Sequence, residues 1–377
     1  MTGRDHAAGT PRFPEPLFVG RPNVPSLDEL LPMLGDALAS RWLSNDGPLV
    51  RALEEELADT LGTSYCAVTC SGTAAIDLIM DLLPPGPVAL PAFTFLGTAR
   101  ALEWRGRPVA FLDVSRDTHL VDPADLLRDV GVRLAAVMCV DIWGQPSPTD
   151  ALVRAMRSHE VPLIIDAAQS LGAVRESTRG CMAIVGSLHA TKIVNAGEGG
   201  YVATDDEAVF RAVCERRNFG FAGGDEPAGR GTNAKMSEIN AALGLASLRQ
   251  LGVALEANHA NLEAYRDAFG RDQRIRLVSD SFVPGANHHY VVVEVPPALR
   301  DPAVRALHAE NVVARRYFSP GCHRVGIEPA VVRELPVTDA IVDRVLALPT
   351  GTAVTPATAE RVGRLVVDVL DRIAEGR

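Results

Sequence analysis

Val161-Pro-Leu-Ile-Ile-Asp166-Ala-Ala-Gln169 is a short apolar run that ends in a carboxylate. Such a run reads as a buried strand that delivers its aspartate at the C-terminal tip. Open parallel sheets place their ligand groups at those tips. Outward from this stretch the pattern repeats, with strand-like runs at 66–69, 88–90, 109–112, 135–140 and 163–165. Asp122-Pro123 gives a helix start between the third and fourth, with Asp as cap and Pro in the first turn. Alternation of this kind from about residue 65 to 204 predicts βαβ units and an α/β fold, its mainly parallel sheet flanked by helices.

The next informative stretch is Ser187-Leu-His-Ala-Thr-Lys192, followed by Gly197-Glu-Gly-Gly200. This order suits a covalently held phosphorylated aldehyde. The amine forms a Schiff base, the hydroxyl caps the phosphate, and the glycines let the backbone pass close to the ring. Read alone, such a lysine is more often a solvated surface residue. Asp166 suits a pyridine nitrogen that must stay protonated, and Gln169 suits the phenolic oxygen of the same ring; Asp166 suits equally well the cap of a following helix. Ser71-Gly-Thr73, between a strand-like run and helix-like 74–82, exposes backbone N–H groups to a phosphate or simply caps a helix. Phe93-Thr-Phe95 offers a ring to stack on a flat cofactor, or a piece of core.

In their joint order these motifs resemble the DegT/DnrJ-type aminotransferases, pyridoxal phosphate (PLP) enzymes of fold type I that act mostly on nucleotide-linked keto sugars. The resemblance runs from Phe18-Val-Gly-Arg-Pro-Asn23 and Arg41-Trp-Leu-Ser-Asn-Asp-Gly-Pro48 through Pro91-Ala-Phe-Thr-Phe95, Trp143-Gly-Gln-Pro146 and Arg217-Asn-Phe-Gly-Phe221. It continues in Asn233-Ala-Lys-Met-Ser-Glu-Ile-Asn240, His289-Tyr290 and Tyr317-Phe-Ser-Pro-Gly-Cys-His323. It implies that Lys192 carries the internal aldimine and then shuttles the proton. Asp166 would pair with the pyridinium nitrogen, Gln169 with the phenolic oxygen, and Phe95 would stack on the ring. Gly72, Thr73 and Ser187 would bind the phosphate, joined by Asn233 from a neighbouring subunit, which implies a homodimer with composite active sites. Glu238 resembles a position on the sugar side.

The chain departs from the family pattern twice. The stretch between Gly172 and Ser187 is short and lacks the usual Gly-Asp pair and aromatic, which affects the approach to the cofactor. Asp141 stands where many members have His, so it is either a substrate contact or a solvated loop carboxylate. Gly220-Phe-Ala-Gly-Gly-Asp-Glu-Pro-Ala-Gly-Arg-Gly231 lacks the Lys-Ser/Thr ending of a P-loop and reads as a surface loop, with Arg230 a candidate diphosphate contact. His323 joins the candidate substrate contacts. His288, His289 and His323 lack Cys or carboxylate partners at ligand spacing, so no metal is expected.

With 377 residues, 47% hydrophobic and 22% charged, the chain is long enough to divide into two domains. The expected division is a cofactor-binding domain at 1–250, with 1–13 a loose tail, and a smaller α+β domain at 251–377. Helices are expected at 236–251, 257–269 and 302–310 and from Thr355-Pro356 to about 373, with a strand at 290–295. A net charge of −10 argues against nucleic acid as partner. Six cysteines without CxxC pairs, and neither a leader nor a long apolar stretch, predict a cytoplasmic protein with reduced thiols and no membrane partner. The expected reaction moves an amino group, from glutamate, to the keto group of a nucleotide-linked sugar. Alternatives are a cyclitol or other ketone as acceptor, a PLP-dependent sugar dehydratase, or a PLP-binding regulator. The dehydratase branch replaces the lysine by histidine, and the regulator predicts damage at Lys192, Asp166 or the phosphate loop.

Overall fold

The computed structural model describes residues 11–126, 133–157 and 159–376. Its centre is a seven-stranded sheet. The strands lie in the order Tyr65–Thr69, Gly200–Thr204, Ala183–Ser187, Leu163–Asp166, Ala136–Val140, Val88–Pro91 and Val109–Leu112. Gly200–Thr204 runs antiparallel to both neighbours, and the remaining pairs are parallel. Every expected strand is present. Ala183–Ser187 and Gly200–Thr204, which had no separate strand signal, complete the sheet.

Successive side chains of a strand point to opposite faces, so a sheet covered on both sides needs continuous apolar runs. Cys66, Val68, Val137, Cys139 and Ile165 face one core, which is closed by Leu53 and Leu57 of helix Pro48–Leu61 and Leu245 of helix Glu238–Arg249. Ala67, Ala136, Met138 and Ile164 face the other, closed by helices Gly72–Met80 and Leu96–Trp104. Asp122 caps the short helix Pro123–Leu126 through Ala124 N–H at 2.8 Å; any continuation falls outside the described residues.

Gln250 separates helix Glu238–Arg249 from helix Leu251–Phe269. Beyond it, Arg276–Leu277, Val291–Glu294 and Val345–Leu348 form an antiparallel sheet. Helices Pro297–Ala309 and Pro356–Ala374 pack a third core with them. Thr355 caps the last helix by accepting from Thr358 N–H at 3.2 Å, and Pro356 opens it. Residues 1–10 of the expected tail lie outside the described residues, and at 11–13 the structure differs from that expectation. Phe13 is no loose end but is buried in this third core, with Arg361 over its ring at 4.7 Å, and Leu17–Phe18 pairs in parallel with Val312–Val313. Its partners lie some 300 residues away in sequence, and the local polar, Pro-rich composition gives no sign of them. Among the described residues, no helix is long and apolar enough to cross a membrane.

Candidate active site

The strand tips converge on a cavity of about 340 Å³. Its wall takes Ser71, Gly72 and Thr73 from after the first strand, Thr94 and Phe95 from after Val88–Pro91, and Val140 and Asp166 from two strand ends. Ser187, His189, Thr191 and Lys192 come from the end of Ala183–Ser187. Seven of the sequence-predicted residues thus meet: Gly72, Thr73, Phe95, Asp166, Gln169, Ser187 and Lys192.

The phosphate end is built by close backbone approach. Gly200 is paired with Thr69 on one side and Ser187 on the other. A Cβ on Gly200 would lie 2.4 Å from the Gly72 nitrogen, and one on Gly72 would lie 3.0 Å from the Ser187 Cβ. Only glycine fits at Gly200. Ser71 caps helix Gly72–Met80 by accepting from Ala74 N–H at 3.1 Å, which leaves the N–H groups of the first turn, at the positive end of the helix, beside the Ser187 hydroxyl. This cradle suits a phosphate. The short stretch before Ser187 therefore does not displace that residue.

Asp166 is 4% exposed. Its Oδ2 accepts from Thr98 at 2.8 Å and its Oδ1 from Ala168 N–H at 3.1 Å, so it caps a turn and not a helix. Burial raises its pKa above the usual carboxylate range, with Thr98, Ala168 and Lys192 working against that rise. Burial lowers the Lys192 amine from 10.5 to about 8, and Asp166 opposes the shift. A lysine so placed is a nucleophile near neutrality, and a carboxylate fixed at a strand tip is a partner for a ring nitrogen. Gln169 accepts from Trp143 N–H at 2.9 Å. Phe95 is 60% exposed at the mouth, with its ring 6.4 Å from that of Phe318. The cradle, lysine, carboxylate and exposed ring fit pyridoxal phosphate.

Five predicted residues stand elsewhere. Asp141 is fully buried, neither solvated nor in the cavity. It accepts from Ser147 N–H at 2.7 Å and Ser170 Oγ at 2.5 Å and pairs with Arg175. Glu238, 1% exposed, accepts from Leu49 N–H at 2.8 Å and Val50 N–H at 3.0 Å; it caps helix Pro48–Leu61 and does not face a sugar. His323 bonds Asp339 at 2.9 Å outside the cavity. Arg230 lies on the exposed 222–231 stretch, in a separate depression with Asp81, Arg105 and Arg216. Asn233 is exposed and bridged to Asn218, also outside this chain's cavity.

Other wall residues received no role from the sequence. Thr98 supports Asp166, and Tyr290, Tyr317 and Phe318 also line the cavity. His189 accepts from Thr191 N–H at 3.2 Å through Nδ1, which directs its Nε2–H toward Glu198 at 3.7 Å. His289 is buried and pushed down to about 4 by that burial and by Lys192; its Nε2–H donates to Thr191 O at 2.9 Å. Tyr290 and Phe318 lay in motifs already noted, but a distant segment folded over a site has no spacing signature. All six cysteines are free, with Cys66, Cys139 and Cys322 buried and Cys70 exposed. Among the described residues, no group of three His, Cys, Asp or Glu side chains is placed to hold a metal.

The model of the DegT/DnrJ/EryC1/StrS aminotransferase family matches residues 27–367. The dTDP-4-amino-4,6-dideoxy-D-glucose transaminase of Escherichia coli is 25% identical over 362 residues, 93% of this chain and 97% of that protein. The UDP-N-acetyl-3-dehydro-alpha-D-glucosamine 3-aminotransferase of Acidithiobacillus ferrooxidans is 29% identical over 346 residues, 86% of this chain and 89% of that protein. Among solved structures, DesI in the presence of its TDP-sugar product superposes with a TM-score of 0.91 at 38% identity, covering 97% of this chain and 96% of that one. Helicobacter pylori PseC, at 18% identity and a TM-score of 0.88 over 95% of this chain and all of that one, shares the fold.

Proposed function

The chain belongs to the DegT/DnrJ/EryC1/StrS aminotransferase family and is a PLP-dependent transaminase; from that premise we propose that it carries an amino group from L-glutamate to the keto group of a nucleotide-linked sugar. The observation that carries this reading is Lys192 and Asp166 in one cavity with the Gly72–Ser187–Gly200 cradle. The acceptor class is supported by the transaminases of dTDP- and UDP-linked sugars among the relatives and by the TDP-sugar product of DesI.

Pyridoxal phosphate, when bound, supplies an electron sink and carries the amino group between the two half-reactions. The residues do the rest. First-turn N–H groups at Gly72 and Thr73, with the Ser187 hydroxyl, hold the phosphate. Asp166, fixed by Thr98 and Ala168, keeps a proton on the ring nitrogen. Lys192 Nζ would be the nucleophile that holds the cofactor, and when free it would be the base that carries the proton. Phe95 would cover a face of the ring, and Tyr290, Tyr317 and Phe318, which also line the cavity, would limit water. An intact Lys192 and an intact cradle favour transamination over the dehydratase and regulator readings.

The working unit in this reading is a homodimer. Val24, Leu27, Leu31, Leu38, Trp42 and Leu43, on and beside helix Leu27–Ser40, are exposed apolar side chains that a second copy would cover. Six reduced cysteines suit the cytoplasm.

The test is the visible spectrum of the purified protein with pyridoxal phosphate, before and after L-glutamate. A yellow band that bleaches supports the donor assignment, and dTDP- and UDP-linked keto sugars that restore it identify the acceptor. A band indifferent to glutamate overturns the donor. Restoration only by non-nucleotide ketones overturns the acceptor class.

A further inference from the structure

Behind the cavity wall runs a hydrogen-bonded chain that the chemistry above does not use. Trp143 is fully buried, outside the cavity, with its backbone in the left-handed region at φ +62°. Its main-chain N–H meets Gln169 Oε1 at 2.9 Å, and its indole Nε1–H donates to His119 Nδ1 at 3.0 Å. An imidazole that accepts at Nδ1 carries its proton on Nε2, and that atom lies 3.0 Å from Glu294 Oε1. Glu294 is also held by Arg276 at 2.6 Å and by Arg116, with Asp117 the remaining charge nearby. Burial pushes the Glu294 carboxyl up, but hydrogen bonds from His119 and Arg116 outweigh it and hold it at about 2. Burial keeps His119 below its ordinary value despite Glu294, and a second ring proton would face the Trp143 N–H. One neutral tautomer is therefore locked in place. On its other side the indole stacks on Phe318 at 5.2 Å and meets Tyr290 edge-on at 5.8 Å, both of them cavity walls.

We propose that His119 is a positioning residue for the cofactor: by gripping the Trp143 indole from behind, it fixes the Gln169 amide with its oxygen turned back, so that the amino group is what Gln169 offers to the ring's phenolic oxygen. This rests on the family role of Gln169 as partner of that oxygen. Trp143 transmits the placement because its two N–H groups point to the two residues. Glu294, from the strand that follows Tyr290, anchors the chain from the far side.

The test is a pH titration of the visible band of the protein loaded with pyridoxal phosphate, a property of the resting enzyme that needs no turnover. A donor on the phenolic oxygen competes with the lysine-bound proton for it, so losing the donor raises the pH at which that proton leaves. Gln169→Leu is expected to raise the transition by about one unit. His119→Asn tolerates the left-handed backbone at φ +61° and leaves Glu294 paired with both arginines, but is too short to span Trp143 and Glu294. It is expected to raise the transition in the same direction, and to add nothing when combined with Gln169→Leu. Trp143→Phe keeps the main-chain N–H and an aromatic ring beside Phe318 while deleting the indole donor; it carries the test if His119→Asn does not fold. An additive shift in the double variant, or a folded Trp143→Phe protein with the wild-type transition, overturns the proposal. An unshifted Gln169→Leu overturns the role of Gln169 itself and the proposal with it, while leaving transamination standing.

Discussion

The Asp141 carboxylate and the Arg175 guanidinium form a buried ion pair, which joins the two stretches that read as departures from the resembled pattern. Arg175 comes from the stretch before Ser187 that reads as short, and Asp141 from the position that reads as replacing a His. The pair is completed by Ser170 and Ser147 on Asp141 and by Thr149 on Arg175 at 3.0 Å. Burial lowers the arginine's pKa, but Asp141 outweighs it and raises it overall. Asp141 N–H also donates to Asp166 O at 2.9 Å, so the pair is tied directly to the backbone of Asp166.

A buried pair that loses one member leaves an uncompensated charge. Arg175→Met is therefore expected to destabilise the protein by about 3–5 kcal/mol, with Asp141→Asn/Arg175→Met recovering much of the loss. Urea unfolding of the two proteins decides it. Equal loss in both would mean that the pair's attraction, and not the stranded charge, governs stability here.

Lys192→Ala is expected to leave folding intact and abolish transamination, because the tethering amine and the proton carrier disappear together. The wild-type amine, at about 8, is protonated below that pH and neutral above it. About a tenth is neutral at pH 7, against well under a thousandth for an ordinary lysine. The rate of cofactor capture should therefore climb as pH rises toward 8 and then level off, in stopped-flow absorbance. A rate still rising steeply past pH 9 would show an amine that is not shifted.

Glu238 accepts two N–H groups at the start of helix Pro48–Leu61, where Gly47 has no side-chain cap and leaves no room for one: a Cβ there would lie 2.4 Å from Glu238 Cδ. Glu238→Ala is expected to cost about 1–2 kcal/mol, as lost helix caps do. The cofactor spectrum should not change. A spectral change without loss of stability would return Glu238 to the substrate side.

What the sequence made legible follows from how locally each feature is encoded. Asp166 at the end of an apolar run, Gly72 after a strand, and the Ser187–Lys192 spacing are set by neighbours a few residues away, and all meet in the cavity. Asp141 was a candidate because it reads as replacing a His, and Glu238 because it sits in a matching motif, yet their partners, Arg175 and Leu49, lie 34 and 189 residues away. A charged side chain in a motif does not reveal whether it faces a ligand or the protein. The same blindness hid Phe13 in the distant core and Tyr290 and Phe318 on the cavity wall.

The exposed face around helix Leu27–Ser40 makes an independent prediction. Leu31 and Leu38 are 56% and 60% exposed. Leu31→Glu/Leu38→Glu is expected to leave each subunit folded and shift the protein from dimer to monomer in size-exclusion chromatography with light scattering, since charges at an interface centre are poorly tolerated. Activity should fall with the dimer. A dimer that persists would move the interface elsewhere.

Gly200 carries a constraint in the site that is set by backbone alone. Its missing side chain lets an antiparallel strand begin between the tips of two flanking strands while the Ser71–Gly72 backbone passes over it; a Cβ would lie 2.4 Å from both Ser71 C and Gly72 N, and neither is a flexible side-chain end. Gly200→Ala must therefore push the first turn of helix Gly72–Met80 away from Ser187. The helix N-terminus and the hydroxyl would then no longer meet the same phosphate, so affinity for pyridoxal phosphate should fall at least tenfold, a loss of about 1.4 kcal/mol. Equilibrium dialysis measures it, with the far-UV circular dichroism unchanged as the sign that the sheet persists. Free pyridoxal, which lacks the phosphate, should bind the variant and the wild type alike. A variant that loses both ligands equally would trace the defect to the sheet and not to the cradle.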